Sequence, residues 1–148
     1  MPQRPYDEAL LRQSFAVARR SREGGDHPFG SLLADKNGKV LREQGNGYSS
    51  EGGDRTAHAE KLLASWAAKN LSLEELQDCT LYTSAEPCAM CSGAIYWAGI
   101  GRVVFGQTER DLKAQTGARG EPDTRPALPY RVRGRTAPHR DRRPDAGR

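Results

Sequence analysis

The sequence of 148 residues predicts an α/β sandwich built mainly as one domain. Short apolar segments alternate with longer Ala- and Leu-rich segments, and strand–helix–strand alternation favours parallel pairing with helices packed on the sheet. Apolar residues are also concentrated early in the chain, with 47 among residues 1–118 and 6 among residues 119–148. The first segment can therefore bury a core, and the second has too little apolar surface to offset its ordering entropy.

The beginning of the chain predicts a helix followed by a β-hairpin. Asp7 is expected to cap this helix, and Gly24 and Gly25 are expected to end it. Residues 29–34 then predict a short buried strand, which a turn connects to its partner strand at residues 39–44.

From residue 45 onward the sequence alternates between helices and strands. Pro87 is interpreted as the first turn of a helix, a position where proline is tolerated. The predicted elements are a Gly-rich loop at 45–56, a helix at 57–69, a connector at 71–77, a strand at 80–84, a helix from 87 to about 98, a strand at 102–106 and a short helix at 109–114.

The charge distribution argues against a nucleic-acid-binding surface on the first segment. The formal net charge is +4, with a pI near 9.1. Residues 1–118 carry a balance of −1, whereas residues 119–148 carry +5, with nine Arg and no Lys. Because binding a phosphate backbone requires clustered Lys and Arg, the balanced segment favours a small-molecule substrate.

Composition also excludes a membrane span and a disulfide-stabilised secreted domain. No apolar run approaches the roughly 20 residues that cross a bilayer, and the first ten residues lack the apolar region of a signal peptide. Three Cys cannot form a closed set of disulfides. These features predict a cytoplasmic, reducing location.

The strongest chemical signal is a set of three potential zinc ligands, His58, Cys88 and Cys91. Residues three apart on a helix share a face, so both sulfurs can reach one ion, and a helix N-terminus stabilises thiolates. One His and two Cys leave the fourth position of a tetrahedral zinc open, which is typical of catalytic sites. Glu60, two residues after His58, can transfer protons there.

Other interpretations of these residue types remain open at this point. The Cys88–Cys91 pair alone also fits a redox motif or one half of a structural zinc knuckle. Cys79 is interpreted as a core residue, His27 as a loop residue near the site, and His139 as solvated.

His58-Ala59-Glu60 followed by Pro87-Cys88-Ala89-Met90-Cys91 resembles the H-x-E…P-C-x-x-C pattern of the zinc-dependent cytidine-deaminase-like superfamily. The resemblance extends over about residues 6–117. It implies a three-layer α/β/α sandwich with a mixed central sheet. It also implies hydrolytic deamination, in which Zn²⁺ activates a water and Glu60 delivers the proton to the ring nitrogen and then to the departing ammonia.

The resemblance further implies which residues bind the substrate. Asn46 and Phe29 match positions that contact the base or sugar, and Ala59 lies between the metal and proton-transfer residues. Asn46 could instead serve only a turn, and Phe29 only the core. Additional candidates are Trp97, Glu109, Asp111 and Glu121, although the three acids also fit a solvated surface.

The resemblance points to two branches of this superfamily. Pro28-Phe29-Gly30 and the stretch 94–97 (AIYW) are similar to guanine deaminases, whereas residues 100–106 and Thr116-Gly117 are similar to tRNA adenosine deaminases. The favoured prediction is deamination of a free nucleobase or nucleoside, with guanine giving xanthine and ammonia. A tRNA adenosine deaminase and a cytosine or cytidine deaminase are the alternatives. A non-enzymatic zinc module is disfavoured, because it would not need Glu60.

Two further expectations concern assembly and the C-terminal segment. The resemblance implies a homodimer, for which Trp66, Ile95, Tyr96 and Trp97 could supply the contact face. Residues 1–118 are expected to form the deaminase domain, and residues 119–148 an Arg/Pro-rich tail that is poorly ordered. The tail could alternatively be a nucleic-acid-binding arm, a lid, or the product of a shifted reading frame of GC-rich DNA.

Overall fold

The computed structural model describes residues 3–107. The predicted short helix at 109–114, the boundary at residue 118 and the tail lie outside the described residues. The elements in chain order are α1 (Asp7–Glu23), β1 (Gly30–Ala34), β2 (Val40–Gly45), α2 (Ala59–Asn70), α3 (Leu73–Asp78), β3 (Thr80–Ala85), α4 (Ala89–Ala98) and β4 (Arg102–Gln107).

The four strands form one mixed sheet in the order β2-β1-β3-β4. β1 is antiparallel to both β2 and β3, whereas β3 and β4 are parallel. The mixed central sheet is therefore confirmed, but the general expectation of parallel pairing holds only for β3 and β4. The reason is connectivity, since helix α4 provides the crossover that a parallel pair requires and a tight turn makes β1 and β2 antiparallel.

Helices cover both faces of this sheet, which confirms the three-layer sandwich. Successive strand residues point to opposite faces. Leu33 and Leu81 pack in the cluster formed with α2, α3 and α4, whereas Leu32 and Tyr82 pack in the cluster formed with α1. Cys79 lies buried in the first cluster, as predicted.

Gly30 permits the close packing of α1 on β1. A Cβ atom at this position would lie 2.3 Å from the backbone nitrogen of Ala18 and 2.7 Å from the carbonyl oxygen of Ser14. Helix and strand backbones thus approach at a distance that only glycine allows.

The start of α1 differs from the prediction. Tyr6 occupies the N-cap position and contributes no side-chain cap, so the assignment of Asp7 as the cap is wrong. Asp7 is instead buried and forms an ion pair with Arg102 of β4. The attraction of this distant partner outweighs the local capping preference.

The predictions for residues 71–77 and for the start of α4 also require correction. The expected connector at 71–77 contains helix α3, which begins with a capping box between Ser72 and Glu75. Helix α4 begins at Ala89, so Pro87 lies before the helix and outside its first turn. Gly99 then ends α4 in the left-handed conformation with φ of 88°, which glycine adopts readily.

Candidate active site

Two helices begin at the predicted metal ligands. His58 is the N-cap of α2 and Cys88 the N-cap of α4, each with an extended backbone. Cys91 follows in the first turn of α4 and is fully buried. Helices α2 and α4 pack side by side, which brings the three side chains together.

The distances among these side chains fit a zinc ion. His58 Nδ1 lies 3.5 Å from Cys88 Sγ and 3.5 Å from Cys91 Sγ. The three ligand atoms all lie within 4.8 Å of one another. A tetrahedral zinc with ordinary Zn–N and Zn–S bond lengths would separate nitrogen and sulfur by about 3.6 Å. Both nitrogen–sulfur distances therefore match those of a tetrahedral zinc site.

The two thiols of the cluster influence each other's pKa. A hydrogen bond from Cys91 lowers the pKa of Cys88 to about 4, and the proximity of His58 acts in the same direction. The same hydrogen bond, together with burial and the Glu60 carboxylate, raises the pKa of Cys91. A metal ligand must be deprotonated, so a lowered pKa at Cys88 favours metal binding.

Glu60 lies at the start of α2 and is 5% exposed. Its Oε1 accepts a hydrogen bond from Thr83 Oγ1 at 2.5 Å. Burial raises the pKa of this carboxyl group above its usual value of 4.5, and the hydrogen bond from Thr83 opposes that rise. A raised pKa makes this carboxylate a stronger base than an exposed one, which suits a group that accepts and releases a proton during a reaction.

The strand register brings Phe29 and Asn46 to the same end of the sheet. Gly30 of β1 pairs with Gly45 of β2, so Phe29 and Asn46 each lie one residue beyond that pair, at the same end of the hairpin. Phe29 is half-buried and belongs to neither core cluster defined within residues 3–107. Its interpretation as a purely core residue therefore has no support from the clusters.

Asn46 is held by several hydrogen bonds. Its side-chain Oδ1 accepts from the backbone N–H of Tyr48 at 2.9 Å, so the expected turn is present. Its own backbone N–H donates to Ser21 Oγ, and the same hydroxyl donates to the carbonyl oxygen of His27. The backbone N–H of Gly47 donates to the carbonyl oxygen of Ala57, which connects this loop to the residue before His58.

Ala59 is fully buried between His58 and Glu60, whereas Trp97 is exposed near the other end of α4. Trp97 is 71% exposed and lies nine residues after Cys88 on the same helix. That separation corresponds to about 13 Å along the axis. Glu109, Asp111, Glu121 and His139 lie outside the part of the chain that the structure describes.

The proposed dimer residues divide into two groups. Ile95 is a core residue, and Trp66 is half-buried with the Arg42 guanidinium 5.0 Å above its ring. Tyr96 and Trp97 are exposed, with their rings in an edge-to-face contact. The homodimer stays a prediction, and Tyr96 and Trp97 offer the most exposed surface among these residues.

Two features close to the site were not predicted. Thr83 and Ser31, both fully buried, stand opposite each other on β3 and β1 and connect to Glu60. The available signal was weak, namely one serine in β1 (GSLLA) and one of several hydroxyl residues in β3 (TLYTSA). Within residues 3–107 no helix is long and apolar enough to cross a membrane. The cytoplasmic location stays a prediction.

Comparison with known proteins identifies the family. The family described as "Cytidine and deoxycytidylate deaminase zinc-binding region" matches residues 4–107. A probable cytosine deaminase of Schizosaccharomyces pombe is 44% identical over 115 residues, which cover 78% of this chain and 68% of that protein. A tRNA-specific adenosine deaminase of Haemophilus influenzae is 36% identical over 104 residues, covering 70% of this chain and 60% of that protein.

A solved structure has a fold similar to that of this chain. The X-ray structure of guanine deaminase from Bacillus subtilis matches with a TM-score of 0.64 and 31% identity, covering 84% of this chain and 83% of that chain. These relatives differ in the substrate they are named for and share deamination. The chain belongs to the zinc-dependent cytidine and deoxycytidylate deaminase family and is a hydrolytic deaminase.

Proposed function

We propose that the protein deaminates a free nucleobase or nucleoside, with guanine as the first candidate. One guanine and one water would give one xanthine and one ammonia. The observation that carries the proposal is the buried Glu60 carboxylate beside a His–Cys–Cys set. Three protein ligands leave one position of a tetrahedral zinc open, and a structural zinc site needs no adjacent carboxylate.

Different residues of this chain would bind the metal and transfer the protons in such a reaction. The zinc would be held by His58, Cys88 and Cys91. It would act as a Lewis acid that lowers the pKa of water. Glu60 would carry one proton of the attacking water to the ring nitrogen and a second proton, from the hydroxyl left on the ring carbon, to the departing amine. Burial of Glu60 excludes bulk solvent from this transfer.

Phe29 and Asn46, at one end of the sheet, suit a flat purine. Phe29 offers an aromatic face for stacking. Asn46 already uses its carbonyl oxygen within its own turn, which leaves its amide N–H groups to donate to a substrate. Guanine presents acceptors at O6 and N7. The buried start of α2 at Ala59 would form one wall beside the metal.

The charges of the described residues favour a small substrate over RNA. Residues 3–107 have a balance of −1, and several arginines are paired with acids. Arg12 pairs with Glu8 and Arg20 with Glu43. A surface that follows a phosphate backbone would instead require clustered unpaired cations. Cytosine is the second candidate, because 44% identity connects this chain to a probable cytosine deaminase.

An ammonia-release screen on the zinc-loaded full chain tests this proposal. The panel contains guanine, cytosine, adenine, cytidine, guanosine and a tRNA anticodon stem-loop, and Glu60→Ala serves as the inactive control. We expect release from guanine above all others. Release from the stem-loop with none from any free base or nucleoside would overturn the proposal, and preference for cytosine would replace guanine with the second candidate.

A further inference from the structure

We propose that Thr83 is a positioning residue that fixes the Glu60 carboxylate in its reactive orientation. The inference rests on the proposed proton-transfer role of Glu60 and names the side chain through which the sheet controls it. The observation behind it is a line of three buried polar groups, Ser31, Thr83 and Glu60, which runs from β1 across β3 to α2.

The strand register determines where Thr83 points. Thr83 of β3 stands opposite Ser31 of β1 in an antiparallel pair, so both side chains lie on the same face of the sheet. Leu33 and Leu81 occupy that face next to them and pack in the cluster formed with α2 and α4. The two hydroxyls therefore face the helix that carries Glu60.

Each hydroxyl in this line donates its hydrogen bond toward Glu60. A hydroxyl group donates one hydrogen and can accept more than one. Ser31 Oγ donates to Thr83 Oγ1 at 3.1 Å, and Thr83 Oγ1 donates to Glu60 Oε1 at 2.5 Å. The competing acceptor, the Gly30 carbonyl oxygen, is 3.5 Å away. The single Thr83 proton is thus committed to Glu60, at a distance typical of a hydroxyl bonded to a carboxylate.

Burial makes this arrangement rigid. Ser31 and Thr83 are 0% exposed and Glu60 is 5% exposed, so water cannot replace Thr83 as the donor. Without the hydroxyl, one carboxylate oxygen would lose its partner in a dry environment, and the side chain would move to recover one. At metal sites, loss of an outer partner that orients a side chain typically lowers activity by about 10–100-fold, and we expect a loss of this size here.

Thr80 provides a matched control on the same strand. It is also fully buried, but it lies on the face of the sheet opposite Thr83, and within residues 3–107 its Oγ1 has no hydrogen-bond partner. Thr80→Val and Thr83→Val make the same chemical change at the same depth. Only the second removes a hydrogen bond to Glu60.

The test compares zinc-loaded full-length wild type, Thr83→Val, Thr83→Ser and Thr80→Val. For Thr83→Val we expect kcat to fall about 10–100-fold, with KM changed less than about twofold and zinc content unchanged. Thr83→Ser should restore most of the kcat, because it keeps the hydroxyl, and Thr80→Val should match wild type. Wild-type kcat in Thr83→Val would overturn the proposal, as would equal losses in Thr83→Val and Thr80→Val.

Crystal structures of the zinc-loaded wild type and Thr83→Val decide the question independently of activity. We expect the Glu60 carboxylate to leave its wild-type position in Thr83→Val. An unchanged carboxylate position would overturn the positioning role. If the wild type deaminated no compound of the panel, the proposed function would fail, and the crystal structures would still show whether Thr83 orients Glu60.

Discussion

Glu60→Gln is expected to lower the turnover of the zinc-loaded protein by about 10²–10⁴-fold, the usual contribution of a general acid–base group. The glutamine keeps the size of the side chain and an oxygen that can accept the hydrogen bond from Thr83. It cannot take a proton from water at neutral pH. The loss should therefore appear in kcat, while the zinc content and the folded structure are retained.

The measurement is steady-state ammonia release at matched zinc content. Glu51→Gln provides the control, since Glu51 is an exposed carboxylate in the loop between β2 and α2. This variant should have wild-type turnover. If Glu60→Gln retained more than about a tenth of the wild-type kcat, another group would have to transfer the proton.

Asp7→Asn is expected to destabilise the fold by about 3–5 kcal/mol, because it leaves the Arg102 guanidinium buried without its counter-charge. The pair is bidentate, with Arg102 NH1 at 2.7 Å from Asp7 Oδ1 and NH2 in contact with Oδ2. The Tyr82 hydroxyl and the backbone N–H of Arg4 also donate to the carboxylate. The change would remove a large part of the roughly 5–15 kcal/mol that stabilises a typical domain.

Urea unfolding checks this expectation, and Glu8→Gln is the matched control. Glu8 is the next residue of α1, and its pair with Arg12 is exposed, so its loss should cost less than about 0.5 kcal/mol. Replacing both partners, with Asp7→Leu and Arg102→Met together, should recover part of the stability lost in Asp7→Asn. A loss below about 1 kcal/mol in Asp7→Asn would show that the pair does not hold α1 to the sheet.

The same pair predicts a dependence of stability on pH. The Arg102 guanidinium, in hydrogen bonds to Asp7, holds the pKa of that carboxyl well below its usual range. The contribution of Asp7 is therefore complete above the unfolded-state pKa of about 3.9 and is lost as the pH falls further toward the folded-state pKa. The difference in unfolding free energy between wild type and Asp7→Asn should accordingly narrow below about pH 4.

The sequence predicts the metal cluster well because its information is local. The three-residue spacing of Cys88 and Cys91 places both sulfurs on one turn of a helix. His58 and Glu60 flank the start of another helix, and the packing of α2 against α4 brings the two motifs together. The sandwich follows from alternation of the elements, and the helix α3 could have been read from its Ser72–Glu75 capping box.

Other features depend on contacts that are remote in sequence. Asp7 is 75 residues from Tyr82 and 95 from Arg102, so a local pattern can suggest only a helix cap. Thr83 and Ser31 are 52 residues apart, and their common face becomes visible only when the register of β1 and β3 is known. The direction in which each hydroxyl points then determines whether the residue only fills the core or also supports the Glu60 carboxylate.

His58, Cys88 and Cys91 are expected to hold a zinc ion as its three protein ligands. X-ray absorption spectroscopy of the zinc-loaded full chain at the zinc edge measures this first coordination shell most directly. We predict two sulfur scatterers at about 2.3 Å and two nitrogen or oxygen scatterers at about 2.0 Å, one of them not from the protein. Three sulfur scatterers, or a protein that binds no zinc, would contradict this assignment of the ligands.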